Sequence, residues 1–161
     1  MKALLPGSYD PVTNGHLEII KKASNEYDEV YVVIFVNPEK QYTFSLDDRL
    51  SMLMVATDEL PNVLVSYSPG MVIDYMREHS IDMIVKGYRN EADLEYERKQ
   101  AEFNLKMGGF KTRLIKCEKD FEGISSTEAR KRILEGSSLE GLLPDGVIKY
   151  IGELDRSKAK S

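Results

Sequence analysis

A histidine follows a glycine-rich loop near the amino terminus, and this arrangement suits the binding of phosphate groups. The loop runs from Pro6 to His16, between an apolar segment and a helical one. Gly7 lets the backbone approach a ligand closely, and Gly15 leaves room for a phosphate beside the free amides of the helix start. His16 then faces the same ligand from the first helical turn. Taken alone, the Gly15-His16 pair indicates a tight turn with a surface histidine about twice as often as a ligand site.

A second group of hydroxyls and backbone amides precedes a helix near the carboxyl terminus. Its members are Phe121, Glu122, Gly123, Ile124, Ser125, Ser126 and Thr127. Hydroxyls and free amides that converge on one point are suited to phosphates. Helix capping also explains Ser125 and Glu128, because a serine three residues before a glutamate is a capping box. The segment alone therefore indicates either a capped helix or a phosphate site.

Several charged residues follow the second and fourth apolar segments. Lys40 comes after the second, and Lys86 and Arg89 come at the end of the fourth. Glu97 and Asn104 belong to the helical segment that follows. Taken singly, the lysines are ordinary solvated surface charges, and acidic residues at a helix start complement its dipole. These residues gain meaning only from the fold that brings them together.

The elements that must position these residues have the pattern of a parallel α/β fold, because short apolar runs alternate with amphipathic ones. We predict strands at 2–5, 29–36, 63–67, 83–86 and 112–117, and helices at 14–25, 45–59, 71–79, 91–107, 125–135 and 144–151. Right-handed crossovers then give a single doubly wound, five-stranded parallel sheet, Rossmann-like, with helices on both faces and a C-terminal helix. Ligands bind beyond the carboxyl ends of such strands, so the loops after the first, second and fourth strands should form the site.

Composition indicates one domain and excludes several classes of function. We expect a domain at 1–154 and a frayed, charged tail at 155–161. The net charge of −5 gives no sign of a nucleic-acid or membrane-surface binder. Cys117 is the single cysteine, which excludes an internal disulfide and fits a reducing compartment. No apolar run approaches the roughly 18 residues that span a bilayer. We expect a cytoplasmic protein that binds neither nucleic acid nor a membrane.

Considered together, the two candidate phosphate-binding segments resemble the adenylyl- and cytidylyltransferase superfamily. The first loop is similar to the signature Gly-Thr-Phe-Asp-Pro followed by Thr-x-Gly-His, with Ser8 and Tyr9 in place of threonine and phenylalanine. Residues 121–127 are similar to the superfamily's Ile-Ser-Ser/Thr-Ser/Thr segment, which contacts nucleotide phosphates. The two segments also occur in the superfamily's order. The resemblance implies an enzyme that transfers a nucleotidyl group.

The segments between them resemble the bacterial phosphopantetheine adenylyltransferase family. That family has Ser-Pro-x-Lys, Arg-Gly-Leu-Arg and Asp-Phe-Glu-Tyr-Glu at the matching places, and the similarity extends to Pro144. It implies transfer of the adenylyl group of ATP to 4′-phosphopantetheine, giving dephospho-coenzyme A and pyrophosphate. It also implies Mg²⁺ carried with ATP, coenzyme A as a feedback ligand, and a homohexamer. Lys86 replaces the usual arginine, so a point charge replaces a bidentate fork.

The same resemblance assigns roles to individual residues. Ser8, Lys40 and Lys86 would hold the phosphate of the acceptor. Val72 and Asn104 would contact its pantetheine arm. ATP is bound by Ser8, Tyr9, His16, Gly87, Tyr88, Arg89, Glu97 and residues 121–127. We expect catalysis from positioning and charge stabilisation by His16, Lys40, Lys86 and Arg89. His16 would donate a hydrogen bond to the α-phosphate, and Arg89 with Arg130 would take charge on the leaving pyrophosphate. We expect phosphates and water, and no protein ligand, to hold the metal.

Two other interpretations stay open at this point. The nearer one is a related nucleotidyltransferase that acts on nicotinamide mononucleotide or glycerol 3-phosphate, although Lys40, Lys86 and Glu97 favour phosphopantetheine. The other is a non-enzymatic α/β binding domain such as a phospho-receiver. A receiver needs an acidic pair after the first strand, where this chain has Asp10 alone. A dinucleotide-binding dehydrogenase is disfavoured because no Gly-x-Gly-x-x-Gly follows the first strand.

Overall fold

Five parallel strands form one sheet in the order β3–β2–β1–β4–β5. The strands are β1 (Lys2–Gly7), β2 (Glu29–Phe35), β3 (Val63–Ser68), β4 (Met83–Tyr88) and β5 (Lys111–Lys116). The helices are α1 (Asn14–Glu26), α2 (Leu46–Ala56), α3 (Val72–Glu78), α4 (Glu91–Gly108), α5 (Ser126–Glu135) and α6 (Asp145–Lys160). This computed structural model describes the backbone of residues 1–160 and the side-chain environments of residues 1–156. The predicted doubly wound sheet with a C-terminal helix is confirmed.

Apolar side chains cover both faces of the sheet, as expected for a parallel sheet. The larger core lies between the sheet and helices α1, α2 and α6, which contribute Ile20, Leu53 and Val147. A smaller core on the other face contains Leu4 and Met76 with residues of β2 and β4. None of the helices that the structure describes is long and apolar enough to cross a membrane.

The carboxyl ends of β1 and β4 lie at the point where the strand order reverses. β1 pairs with β2 on one side and with β4 on the other, both in parallel. The chain therefore leaves β1 towards one face and leaves β4 towards the other, which opens a crevice above the sheet. The loops after β1, β2 and β4 all begin at the carboxyl edge of the sheet, as the sequence predicts.

The last helix is longer than predicted. Its apolar residues Val147 and Ile151 are buried, and the sequence pattern places its end near Ile151. Instead α6 extends to Lys160, because the residues that follow Gly152 are mostly good helix formers. The helix thus continues past the predicted domain boundary at residue 154. The division into a domain and a tail stays a prediction, and residue 161 lies outside the described residues.

Gly87 allows α1 to pack directly against the end of β4. A Cβ atom at this position would lie 2.6 Å from Cγ1 of Ile19, and real Cβ atoms do not approach that closely. Ile19 is itself buried, so its side chain has little room to move. The contact brings the first turns of α1, and with them His16, close to the end of β4.

We predict that Gly87→Ala destabilises the fold by about 1–3 kcal/mol, because the added methyl group overpacks this contact. Urea denaturation measures the change in the free energy of unfolding. Gly152→Ala in α6 is the matched control, because no atom lies within 4 Å of the Cβ position there. It should be neutral or stabilising by up to about 1 kcal/mol. Gly87→Ala should cost less in an Ile19→Ala background, and an equal cost in both backgrounds would refute the steric explanation.

Candidate active site

A cavity of about 650 Å³ opens where β1 and β4 end. It is bounded by the loops after β1, β2 and β4, by the start of α4 and by the start of α5. Its lining includes most of the residues predicted from the sequence: Ser8, Tyr9, His16, Lys40, Lys86, Gly87, Tyr88, Arg89, Glu97, Phe121, Ile124, Ser125, Ser126 and Thr127. The fold therefore gathers on one cavity residues that are up to 119 positions apart, from Ser8 to Thr127 (127 minus 8).

Four predicted residues do not line this cavity in the part of the chain that the structure describes: Val72, Asn104, Glu122 and Gly123. Val72 is the first residue of α3, and Asn104 is in the second half of α4. Glu122 and Gly123 are exposed in the loop before α5. Their contacts with ATP or with the pantetheine arm stay predictions.

His16 is oriented by a capping box at the start of α1. Thr13 is the N-cap residue, and its hydroxyl accepts a hydrogen bond from the backbone N–H of His16 at 3.3 Å. In return the backbone N–H of Thr13 donates to Nδ1 of His16 at 3.0 Å. An Nδ1 that accepts a hydrogen bond carries no proton, so the proton of the neutral ring is on Nε2. The cap thus fixes a tautomer that can donate a hydrogen bond from Nε2.

The surroundings of His16 keep its ring neutral. Burial, together with smaller effects of the positive charges of Lys86 and Arg89, lowers the pKa of His16 from 6.5 to about 4. At pH 7 the residue is therefore a neutral hydrogen-bond donor, and it contributes no positive charge to the cavity. The chemistry available to it is donation to a phosphate oxygen.

The side chain of Tyr9 packs against His16. Its backbone is left-handed, with φ of 48°, which is uncommon outside glycine and a sign of local strain. Its ring is buried, packs edge-on against His16 with 4.9 Å between centroids, and donates its hydroxyl hydrogen to the carbonyl of Leu5 at 2.9 Å. The hydroxyl is thus already bonded to the protein. The ATP contact predicted for Tyr9 stays a prediction.

The cations at the end of β4 are paired with carboxylates of α4. Nζ of Lys86 lies 3.6 Å from Oε1 of Glu97 and 3.4 Å from the carbonyl oxygen of Pro6. Nε of Arg89 lies 3.1 Å from Oδ2 of Asp93, which also accepts from the backbone N–H of Arg89 at 3.2 Å. Burial raises the pKa of Glu97, although Lys86 opposes this shift. Asp93 was not among the site residues predicted from the sequence. The available signal was its spacing of four residues from both Arg89 and Glu97.

The first loop is tied to two other parts of the chain. Both carboxylate oxygens of the buried Asp10 accept backbone N–H groups, one from Thr43 and one from Phe44, each at 2.9 Å. Nη1 of Arg130 donates to the carbonyl of Asp10 at 2.9 Å, and its Nη2 donates to Oγ1 of Thr127 at 3.2 Å. Arg130 therefore braces the start of α5 against the first loop and reaches the cavity from there.

The chain is similar in sequence to known proteins over most of its length. The model of a cytidylyltransferase-like family matches residues 4–132, which include every residue of the cavity named above. A phosphopantetheine adenylyltransferase of Clostridium tetani (strain Massachusetts / E88) is 37% identical over 157 residues, covering 97% of this chain and 98% of the relative. One of Clostridium novyi (strain NT) is 37% identical over 150 residues, covering 92% and 93%. This chain belongs to the cytidylyltransferase-like family. The prediction of a nucleotidyltransferase is confirmed, and the interpretations as a receiver or a dehydrogenase fall away.

We predict that the free energy of unfolding of this nucleotidyltransferase depends on pH because His16 is neutral in the folded chain. Because folding lowers the pKa of His16 to about 4, the unfolded chain takes up the proton first as the pH falls below 6.5. The contribution of His16 to stability is complete above pH 6.5 and is lost as the pH falls towards 4.

Urea denaturation of the native chain and of His16→Gln, at several values between pH 7 and pH 4, measures this contribution. Glutamine at the same helix position can also accept the backbone N–H of Thr13, so the cap is retained. The native chain should lose stability relative to the variant over this range. A difference that does not change with pH would contradict the low pKa of His16.

Proposed function

We propose that the chain transfers the adenylyl group of ATP to 4′-phosphopantetheine and releases pyrophosphate. The observation that carries the proposal is the meeting of Lys40, Lys86, Arg89 and a neutral His16 on one cavity of about 650 Å³. Two relatives, each 37% identical and covered over 93% and 98% of their own lengths, are named for this activity. Cations suit the two anionic reactants, and the neutral donor suits the oxygen on which charge develops.

The reaction needs no covalent intermediate on the protein. An oxygen of the acceptor phosphate is already anionic, and it forms a bond to the α-phosphorus of ATP. The bond from that phosphorus to the oxygen bridging the β-phosphate breaks, and its electron pair leaves with pyrophosphate. The protein then has to bring the reactants into line and stabilise the charge that moves.

Each group at the cavity has a part in this step. The Nε2 hydrogen of His16 is available to an oxygen of the α-phosphate throughout the reaction, because Thr13 fixes the tautomer. Lys40 and Lys86 reduce the repulsion between the acceptor phosphate and ATP. Arg89 takes charge on the leaving pyrophosphate. Phosphate oxygens would replace the carboxylates of Glu97 and Asp93 as partners of Lys86 and Arg89.

We propose that Mg²⁺ arrives with ATP and is held by its phosphates and by water. The carboxylates beside the cavity already have partners, which supports this assignment. Both oxygens of Asp10 accept backbone amides, and Asp93 and Glu97 are paired with Arg89 and Lys86. The ion would supply charge neutralisation to the phosphates, and the residues of the chain would still orient them.

We further propose that copies of this chain cover the outer face of α4, in the homohexamer that the family resemblance implies. None of the residues of α4, all of which the structure describes, is buried, although Tyr96, Phe103, Leu105 and Met107 are large and apolar. Large apolar side chains in one exposed region mark an interaction surface. Coenzyme A contains both halves of the product, so it would bind the same cavity as a feedback ligand. We place the activity in the cytoplasm.

The first test is pyrophosphate release with ATP, Mg²⁺ and 4′-phosphopantetheine. We predict that release requires phosphopantetheine, and that His16→Ala lowers kcat by about 10²–10³ because the Nε2 donor is lost. His16→Gln keeps both an acceptor for the Thr13 amide and an amide N–H donor, so it should lose less activity than His16→Ala. Release with nicotinamide mononucleotide or glycerol 3-phosphate in place of phosphopantetheine would overturn the acceptor and keep the enzyme class. Nearly full activity in His16→Ala would remove the role of His16.

A further inference from the structure

A buried arginine lies behind the cavity and joins two of its loops. Arg49, in the first turn of α2, has only 3% of its surface exposed. Its Nε donates to the carbonyl of Phe44 at 3.2 Å, and its Nη1 donates to the carbonyl of Ser8 at 3.1 Å. Among the described residues, no carboxylate lies within 4.0 Å of its nitrogens. Its hydrogen bonds therefore go to backbone carbonyls of two different loops.

Burial of a guanidinium without a carboxylate partner costs free energy. The hydrogen bonds to the two carbonyls offset part of this cost. One carbonyl belongs to the loop after β1, which contributes Ser8 to the cavity, and the other belongs to the segment after β2, which contributes Lys40. Asp10 joins the same two segments in the opposite sense, from the first loop to the amides of Thr43 and Phe44. The backbone just beyond Lys40 is thus fixed from both sides.

The ring of Tyr42 connects this fixed segment to Lys40. The guanidinium carbon of Arg49 lies 3.9 Å from the centre of that ring, in stacking contact. Nζ of Lys40 lies 5.6 Å from the centre of the same ring, within the range of a cation–π interaction. Tyr42 also lines the cavity. Arg49 therefore holds a ring, and the ring attracts the lysine that faces the cavity.

We propose that Arg49 and Tyr42 are positioning residues that hold Lys40 ready for the phosphate of the acceptor. The proposal rests on the proposed function, because Lys40 is assigned to the acceptor there. A lysine side chain loses much rotational freedom when it binds a phosphate. A ring that already restrains Lys40 reduces this loss, so the acceptor binds more tightly without any new contact. Arg49 acts on the same step by fixing Ser8 relative to Lys40.

Steady-state kinetics of Tyr42→Leu and Tyr42→Phe test this role. Tyr42→Leu removes the ring, and we expect it to raise KM for 4′-phosphopantetheine about threefold to fivefold, with KM for ATP little changed. Tyr42→Phe retains the ring face and should restore the KM of the native chain. Arg49→Lys keeps the charge but loses the planar fork, and should act like Tyr42→Leu. Arg77→Lys, at an exposed position of α3, is the control for the exchange itself.

The Lys40→Ala background distinguishes positioning from a direct or a merely structural role. If Tyr42 acts through Lys40, Tyr42→Leu should raise KM for the acceptor no further once Lys40 is absent. An equal increase in both backgrounds overturns the proposal. Loss of kcat and of affinity for both substrates together, with a lower melting temperature, also overturns it, because that is the result of a structural defect.

An NMR measurement keeps this test independent of the proposed function. Reductive ¹³C-methylation labels the lysine side chains, and Lys40→Arg assigns the signal of Lys40. In the native chain that signal should be shifted by the ring of Tyr42, and in Tyr42→Leu it should move to the position of a freely exposed lysine. An unshifted Lys40 in the native chain overturns the proposal. If 4′-phosphopantetheine gives no turnover but the shift is present, the proposed acceptor is wrong and the positioning of Lys40 stands.

Discussion

The structure depends on how several positive groups are held close together around one cavity. The chain as a whole carries a net charge of −5, yet Lys40, Lys86, Arg89 and Arg130 all reach one cavity. Like charges that lie close together repel each other, so each cation needs either a polar partner or contact with solvent. Lys86 and Arg89 take carboxylates of α4, and Arg130 takes a carbonyl and a hydroxyl. Lys40 stays exposed beside a tyrosine ring. Under the proposed function, an incoming phosphate would exchange partners with cations that are already oriented.

The sheet brings the loops of the site together, and buried polar side chains set the distances between those loops. Parallel pairing of β1 with β2 and β4 brings three loops to one edge. The final distances between those loops depend on buried polar groups, because Asp10 and Arg49 join the first two loops through backbone amides and carbonyls. Such bonds are strong where water is excluded. The regular elements place the loops, and these two side chains fix them relative to each other.

The sequence predicted the fold and the loops well because the signals for both are local. Alternating apolar and amphipathic segments indicate strands and helices, and the first-turn position of His16 follows from the start of α1. The roles of Asp10 and Arg49 could not be predicted, because the hydrogen bonds by which they join the two loops span 33 to 41 positions. Arg49 has the sequence context of an ordinary surface arginine in an acidic helical turn. The tautomer of His16 was equally hidden, since it depends on one backbone amide. The end of α6 was misplaced because the apolar stripe ends before the helix does.

The helix α4 has an unusual attachment to the rest of the molecule. None of its residues, all within the described part of the chain, is buried, but Asp93 and Glu97 contact cations of the cavity. Part of what holds this helix in place is thus the same charge that attracts a phosphate. Binding free energies are reciprocal, so a ligand that draws Lys86 or Arg89 away weakens the docking of α4 by as much as that docking opposes the ligand. A ligand in the cavity and the position of α4 would therefore influence each other through these two ion pairs.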